Sequence, residues 1–200
     1  FMTILHGDVR IYNNIFVQRD IREDLTAFAE ERHDSGITKC HFICGTKPYD
    51  GYPTGEEYFA GFTPETTCDG NNKDLYYRHL PVYTGGNVYF NGAQPCDTEE
   101  NYRTDTEHTV EITLIEHDGS YTLETNLYEY LPQFEIPFIG TETLGEAFEP
   151  EQKFENPDGT PIVFRRDYFG KLRGITPIPG PFADGCEIKE FNVNVNSAVF

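Results

Sequence analysis

The sequence predicts an all-β fold, on composition and on the spacing of its apolar residues. The 18 glycines and 13 prolines among 200 residues are spread along the whole chain. No long stretch repeats apolar residues at the 3.6-residue period of a helix, whereas several short segments alternate apolar and polar residues as strands do. The chain is long enough to bury a core, and 38% hydrophobic with 24% charged residues is typical of a folded protein.

The predicted strands fall in four places. Residues 9–17 alternate Val and Ile with polar residues, and residues 82–90 give two short strands around Gly85-Gly86-Asn87. Residues 109–115 and 121–125 alternate on either side of an Asp-Gly turn, which is a strong signal for a hairpin. A last alternating segment covers residues 188–195.

One short helix interrupts the strands. Over residues 21–31, the apolar side chains of Ile21, Leu25, Phe28 and Ala29 recur at helical spacing. Asp20 precedes them and is a residue type that caps helix N-termini. The spacing therefore predicts a helix over 21–31 with Asp20 as its cap.

Two segments show no period. Residues 46–73 are rich in Gly, Pro, Tyr and Thr, and we expect a long surface excursion of the kind that often carries function. Residues 144–182 are also irregular, with a predicted turn at Pro157-Asp158-Gly159-Thr160. Regular hairpins begin near residue 104, which predicts a division of the chain into residues 1–104 and 105–200.

The charge balance limits the partners. Asp and Glu number 34 and Lys and Arg 15, a formal charge of −19. Affinity for phosphate backbones comes from basic side chains, so nucleic acid, anionic membranes and polyanionic substrates are disfavoured. No apolar run approaches the roughly 20 residues of a membrane helix. A neutral ligand such as an uncharged polysaccharide fits this charge.

The five cysteines form no disulfide framework and no paired zinc motif. Cys40-His41-x-x-Cys44 resembles a metal ligand set but lacks a second half, so we expect structural thiols and no metal or other cofactor. Calcium stays open as an alternative without support, because no Asp cluster has the spacing of a calcium loop. A reducing compartment, the cytoplasm, fits best, and an extracellular or periplasmic location stays open.

Carboxylates are too common here to identify a catalytic pair. Adjacent acids occur at Glu30-Glu31, Glu56-Glu57 and Glu99-Glu100. Neighbouring residues on a strand point to opposite faces, so such pairs do not form a dyad directly. We expect all three pairs to lie on the solvated surface.

A resemblance to a known family emerges from several motifs in order. Residues 7–17 (GDVRIYNNIFV) and 81–95 (PVYTGGNVYFNGAQP) look like coils of a right-handed parallel β-helix, in which Asn side chains at the bends bond the next coil. Together with 144–145 (LG), 154–161 (FENPDGTP), 167–173 (DYFGKLR) and 179–182 (PGPF), they resemble glycoside hydrolase family 120, the β-xylosidases built on that fold.

The resemblance implies a fold and an activity. The fold would be the last β-helix coils over residues 1–104, followed by a β-hairpin or sandwich-like accessory region over 105–200. The activity would be retaining hydrolysis of neutral xylo-oligosaccharides by two carboxyl groups. The catalytic Asp and Glu are then expected upstream of Phe1, and the remaining N-terminal coils or another copy of the chain would cover the first coil.

Two clusters are candidates for substrate contact. His6, Asp8 and Arg10 enter a coil together, where the acid and base either pair with each other or bond a sugar hydroxyl. In residues 48–53, Tyr49 and Tyr52 flank Asp50, so that rings could cover a sugar face while the carboxylate accepts hydroxyl bonds.

Other functions stay open at this point, and so does whether this chain itself catalyses. A non-catalytic carbohydrate-binding or solenoid-capping module would suit an acidic tail of hairpins. A polysaccharide lyase on the same fold would need basic residues and calcium to neutralise its substrate, and this chain is poor in bases.

Overall fold

Two distant stretches of the chain lie side by side as parallel strands. The structure is a computed structural model that describes residues 7–31, 42–63, 79–118, 120–148, 150–184 and 190–193. Strand β1 (Val9–Tyr12) pairs with β3 (Val82–Gly85), and β2 (Ile15–Val17) pairs with β4 (Val88–Phe90). Strand β4 also pairs in parallel with β5 (Arg103–Thr104). The two strands of residues 82–90 thus belong to different sheets, each paired with the earlier stretch.

Asparagines connect the two stretches at the bends, as predicted. The Asn14 Nδ2 donates to Oδ1 of Asn87 (3.2 Å), which also accepts from the Asn14 backbone N–H (2.8 Å). The Asn87 Nδ2 donates to the Ile11 carbonyl (2.9 Å). Asn87 is fully buried, so these bonds replace its bonds to water. The bends are therefore held in register by side chains as well as by the strands.

The second bend requires glycine at position 86. Gly86 has a φ of 69°, and a Cβ there would lie 2.0 Å from the Asn13 Oδ1. The left-handed backbone and the close approach of the Asn13 side chain both disfavour a side chain at this position.

The hydrophobic core joins these strands to the second half of the chain. Buried residues from strand β4, the loop after β5, helix α3 (Leu127–Tyr130) and residues 137–184, which we call the tail, form one cluster: Val88, Phe90, Val110, Leu127, Tyr128 and Phe182. The tail therefore packs against the parallel strands. The division near residue 104 stays a prediction.

The predicted hairpin is confirmed. Strands β6 (Ile112–His117) and β7 (Ser120–Thr125) are antiparallel, with His117 opposite Ser120 across the turn. Strand β10 (Glu190–Val193) adds antiparallel to β7, inside the alternating segment predicted over 188–195. Strand outweighs helix in the described residues, which agrees with the all-β prediction.

The helix prediction needs a correction at its start. Helix α1 (Glu23–Glu31) begins two residues later than predicted, and the carbonyl of Arg22 accepts from the backbone N–H groups of Leu25 and Thr26. Asp20 is therefore not the cap. Arg22 instead pairs with Asp24 in the first turn (2.6 Å), where an acid is favourable.

The segment over 46–73 is more regular than predicted in its described part. A 3₁₀ turn (Lys47–Tyr49) and helix α2 (Gly55–Ala60) lie within it, and residues 64–73 fall outside the described residues. Helix α2 forms because Thr54 and Glu57 make a capping box, each side chain bonding the other's backbone N–H. This Thr-x-x-Glu signal was present in the sequence.

The irregular segment over 144–182 contains only small regular pieces. These are helix α4 (Thr141–Leu144) at its start and the antiparallel pair β8 (Glu146–Ala147) and β9 (Gln152–Lys153). The predicted turn is confirmed, because the Gly159 N–H donates to the Asn156 carbonyl (2.8 Å) with Pro157 at the second position. No helix of the described residues is long and apolar enough to cross a membrane.

Candidate functional site

Asp8 and Arg10 form an ion pair whose bonds are used within the protein. The Arg10 Nη1 donates to the Asp8 Oδ1 (2.7 Å), and the Arg10 side chain is only 7% exposed. Its Nε and Nη2 donate to the carbonyls of Leu144 and Glu146, both at 2.6 Å. The Asp8 Oδ2 accepts from the Phe148 N–H (2.9 Å). The pair thus fastens the turn after α4 to strand β1.

Two rings enclose the same guanidinium. The Arg10 Cζ lies 4.7 Å from the ring centroids of both Tyr83 and Phe154. These cation–π contacts stabilise the Arg10 guanidinium in addition to its hydrogen bonds, in a site that is largely closed to water. Sugar contact by Asp8 and Arg10 stays a prediction, and His6 lies outside the described residues.

The second predicted cluster does come together. The rings of Tyr49 and Tyr52 meet edge to face with centroids 5.3 Å apart. Asp50 pairs with Lys47 (2.5 Å), and its Oδ1 accepts from the Asp97 N–H (3.0 Å).

A histidine that sequence reasoning missed completes this cluster. The imidazole of His79 stacks on the Tyr52 ring with centroids 4.2 Å apart and planes 9° from parallel. Burial, and then the neighbouring Tyr49, raise the pKa of the Tyr52 phenol, which stays protonated and able to donate. No pattern along the chain linked residue 79 to residue 52, since the contact is long-range.

The stacked pair forms one wall of a cavity of about 370 Å³, which we call the tyrosine–histidine cavity. The carboxylates of Glu57 and Asp97 and the hydroxyl of Thr98 also line this cavity. The described residues that line it are Gly51, Tyr52, Pro53, Glu57, His79, Asp97 and Thr98. Glu57 is held by the capping box and Asp97 accepts from the Gly51 N–H (3.3 Å). Rings with a few oriented acceptors suit a polyhydroxylated neutral ligand.

Glu99 is a buried carboxylate, which corrects the prediction that all three adjacent acid pairs lie on the surface. It is 6% exposed, whereas Glu56, Glu57 and Glu100 are exposed. The side chains of Glu30 and Glu31 lie outside the described residues. Position 99 therefore has a role inside the fold that the surface acids do not share.

Three donors surround the Glu99 carboxylate. Its Oε2 accepts from Tyr89 Oη (2.5 Å) and Thr46 Oγ1 (2.6 Å), and its Oε1 accepts from Asn87 Nδ2 (2.7 Å). Burial and the bond to Glu99 raise the pKa of Tyr89. By the register of the parallel strands, Tyr102 and not Glu99 follows Asn14 and Asn87 in line. The coil repeat in the sequence therefore gave no signal for Glu99.

The described residues hold no group of three metal-ligating side chains, and Cys40 and His41 lie outside them. Cys96 is buried and Cys44 half-buried, as expected of structural thiols, and burial raises the pKa of Cys44. The burial of these two cysteines indicates that their side chains pack inside the fold.

The fold resembles part of one solved protein. Neither a family model nor a curated protein matches the chain. A solved structure, the complex of XylC with xylose, matches with a TM-score of 0.69 at 23% sequence identity, over 93% of this chain and 26% of that one. The chain spans about a quarter of the length of XylC, and at this identity the likeness establishes a shared fold.

Proposed function

We propose that the chain is the C-terminal part of a retaining β-xylosidase-like glycoside hydrolase that acts on neutral xylo-oligosaccharides. Its parallel strands would be the last coils of a right-handed β-helix, and residues 105–200 would form an accessory region. The catalytic Asp and Glu would lie in preceding coils, which would stack on β1 and β2, with a second copy of the chain as the alternative partner.

The likeness in fold to XylC, a protein solved with xylose, carries this proposal. It runs over nearly the whole chain, so it covers the parallel strands and the tail together. The order of motifs in the sequence supports the same family independently of the coordinates. Fold alone leaves the chemistry open, so the proposal needs a functional test.

Within this proposal, the tyrosine–histidine cavity contributes to sugar binding. The paired rings of Tyr52 and His79 offer a flat surface for the C–H face of a pyranose, while Asp97 and Thr98 accept or donate to its hydroxyls. His79 is the only basic side chain among the described residues that line it. The cavity therefore suits an uncharged glycan better than a polyanion.

The test is titration of the 200-residue chain with xylotriose, followed by calorimetry or NMR, together with an aryl xyloside assay. We expect weak binding of xylotriose and no release of xylose. Tyr52→Ala should weaken binding about tenfold, because a lost aromatic contact of about 1.4 kcal/mol corresponds to that factor. Tyr168→Ala removes a tyrosine that is 49% exposed and outside the cavity, and should leave binding unchanged.

Three results would contradict the proposal. Cleavage of the aryl xyloside by this chain alone would show that the reacting acids lie within it. Equal binding by wild type and Tyr52→Ala would remove the sugar role of the cavity. Turnover of polygalacturonate with calcium would favour a lyase.

A non-catalytic capping or carbohydrate-binding module is the second candidate. It is favoured by the antiparallel sheet of β6, β7 and β10, which follows the last parallel strand at Thr104 and differs from it in strand direction. A terminal cap of this kind closes a solenoid. If residues 105–200 shape the substrate pocket, their deletion from the longer protein should lower xylosidase activity. Full activity after that deletion would therefore favour the capping role.

A further inference from the structure

The tail and the first bend enclose a second cavity, of about 560 Å³, which we call the arginine cavity. It lies between the β1–β2 bend and residues 137–181, away from the tyrosine–histidine cavity. Arginine, amide and apolar side chains line it; those used below are Arg10, Arg166, Arg173, Phe138, Phe164 and Ile178.

The charge of this cavity is opposite to that of the chain. Three arginines line it, and none of the described residues that line it is Asp or Glu. Because Arg10 is paired with Asp8, the positive charge comes from Arg166 and Arg173. The chain as a whole carries 34 acids and 15 bases. A concave site with charges of one sign and apolar walls focuses the potential, so an anion is attracted here although the whole protein repels it.

Of the three arginines, Arg166 keeps the most donors for a ligand. Arg166 is exposed, and its Nη1 donates to the Gly170 carbonyl (2.7 Å), while its Nε and Nη2 have no partner among the described residues. Arg173 donates from Nη1 to Ile178 O (3.1 Å) and from Nη2 to Gly180 O (2.7 Å), which fixes its guanidinium against the cavity wall. Arg10 is bonded to carbonyls and paired with Asp8, so it offers a ligand neither free donors nor an unpaired charge.

The apolar walls limit the kind of anion. Phe138, Phe164 and Ile178 also line the cavity, and Phe164 is 56% exposed. Inorganic phosphate has no apolar surface that could contact these side chains. A ligand with one carboxylate and an extended ring face uses both the guanidinium fork and the aromatic side.

We propose that the arginine cavity binds the carboxylate of an acidic sugar, a hexuronic acid unit. Arg166 binds the carboxylate, Arg173 holds the loop over 177–181 in place, and the aromatic wall covers the sugar ring. The proposal does not rest on the proposed hydrolase function, because binding of a free uronic acid is measured without catalysis. The net charge of the chain predicts neutral ligands, and this proposal adds a negatively charged sugar to them.

The experiment is NMR titration of the 200-residue chain with glucuronate at low ionic strength, compared with glucose, acetate and inorganic phosphate. Glucose has the same ring without the charge, and acetate has the charge without the ring. We expect glucuronate to shift resonances of the arginine cavity and to bind at least about fivefold tighter than any of the other three. Binding should weaken as salt rises.

A matched pair of variants locates the site. Arg166→Gln should weaken glucuronate binding about tenfold, because a charge-assisted bond is lost. Arg103→Gln removes the same charge from an exposed strand outside the cavity and should leave binding unchanged. Since Arg166 is exposed, its replacement should leave the folded spectrum unchanged elsewhere, which the same NMR spectra check.

Each other outcome overturns the proposal. Equal affinity for glucuronate and glucose would exclude recognition of the carboxylate. Equal affinity for phosphate or acetate and glucuronate would reduce the cavity to a general anion site. Unchanged binding in Arg166→Gln, or the same loss in Arg103→Gln, would exclude the arginine cavity as the site.

Discussion

The parallel strands and the tail are held together by different interactions. In β1 to β5, buried polar side chains bond across stretches distant in sequence, as Asn87 and Glu99 do. In residues 144–184, short turns bond locally, Arg173 holds the loop over 177–181 within this segment, and Arg10 fastens the segment to strand β1. Exposed apolar side chains are also concentrated in the tail, with Ile175 at 98% exposure.

This difference indicates where substitutions destabilise the whole fold. An unpaired buried polar group loses its bonds to water without replacement, so the strands depend on every member of their network. A turn at the surface can replace its hydrogen bonds with hydrogen bonds to water, at little cost in free energy. We therefore expect global unfolding from changes in the strands and local opening from changes in the tail.

The largest effect is expected at Glu99. Glu99→Ala leaves donors of Thr46, Asn87 and Tyr89 without their acceptor, and should lower the free energy of unfolding by about 3 kcal/mol. Urea denaturation followed by circular dichroism measures it. The adjacent exposed Glu100→Ala should change stability by less than about 0.5 kcal/mol. Similar losses in both variants would show that the buried network has no special role.

A smaller effect is expected at Gly86. Gly86→Ala places a Cβ against the Asn13 Oδ1 in a left-handed backbone, and should cost about 2 kcal/mol of unfolding free energy. Gly92 is the matched control, since it also has a positive φ (91°) but open space around its Cβ. Gly92→Ala should cost about 1 kcal/mol, from backbone strain alone. Equal losses at the two positions would exclude the contact between bends.

Arg10 tests the junction between the two regions. Arg10→Lys keeps the charge but not the planar fork that reaches Leu144 and Glu146, and should cost about 1.5 kcal/mol. Hydrogen exchange should quicken over 144–154 and stay unchanged in β3 and β4. Arg22→Lys changes an exposed ion pair and should be neutral within about 0.5 kcal/mol. Faster exchange in the strands would contradict a purely local role.

The smallest effect is an alkaline loss of stability. Burial and Glu99 raise the pKa of Tyr89 above its ordinary value of 10.0, so the folded protein keeps a proton that the unfolded chain releases. This stabilisation is complete below about pH 10 and is lost as pH rises beyond it. Urea midpoints between about pH 8 and 11 measure the decline. Tyr89→Phe should make the decline shallower and leave the part that comes from another buried tyrosine, Tyr128, whose pKa burial also raises. An unchanged slope would assign the decline to groups other than Tyr89.

Much of the local structure was predictable. The hairpin over 112–125, the turn at Pro157 and the asparagine bends each depend on residues close in sequence, whose preferences act within a few positions. The start of helix α1 was wrong because Arg22, and not Asp20, precedes its first turn. The capping box of α2 was missed although its signal was local.

The candidate sites were predictable only in part. The sequence placed Tyr49, Asp50 and Tyr52 in one loop, and the structure adds that the two rings contact each other. The stacking of His79 on Tyr52 and the convergence of Arg10, Arg166 and Arg173 depend on how distant segments meet. No period or motif encodes those encounters.

The sequence by itself determined the all-β composition, the turn positions and the acidic charge, because these follow from residue type and short-range spacing. Only the tertiary structure decided which strands pair in parallel, that Glu99 is buried among three donors, and that arginines meet in one cavity. Those features arise from contacts between residues far apart in sequence, whose free energy depends on the packing of the whole chain.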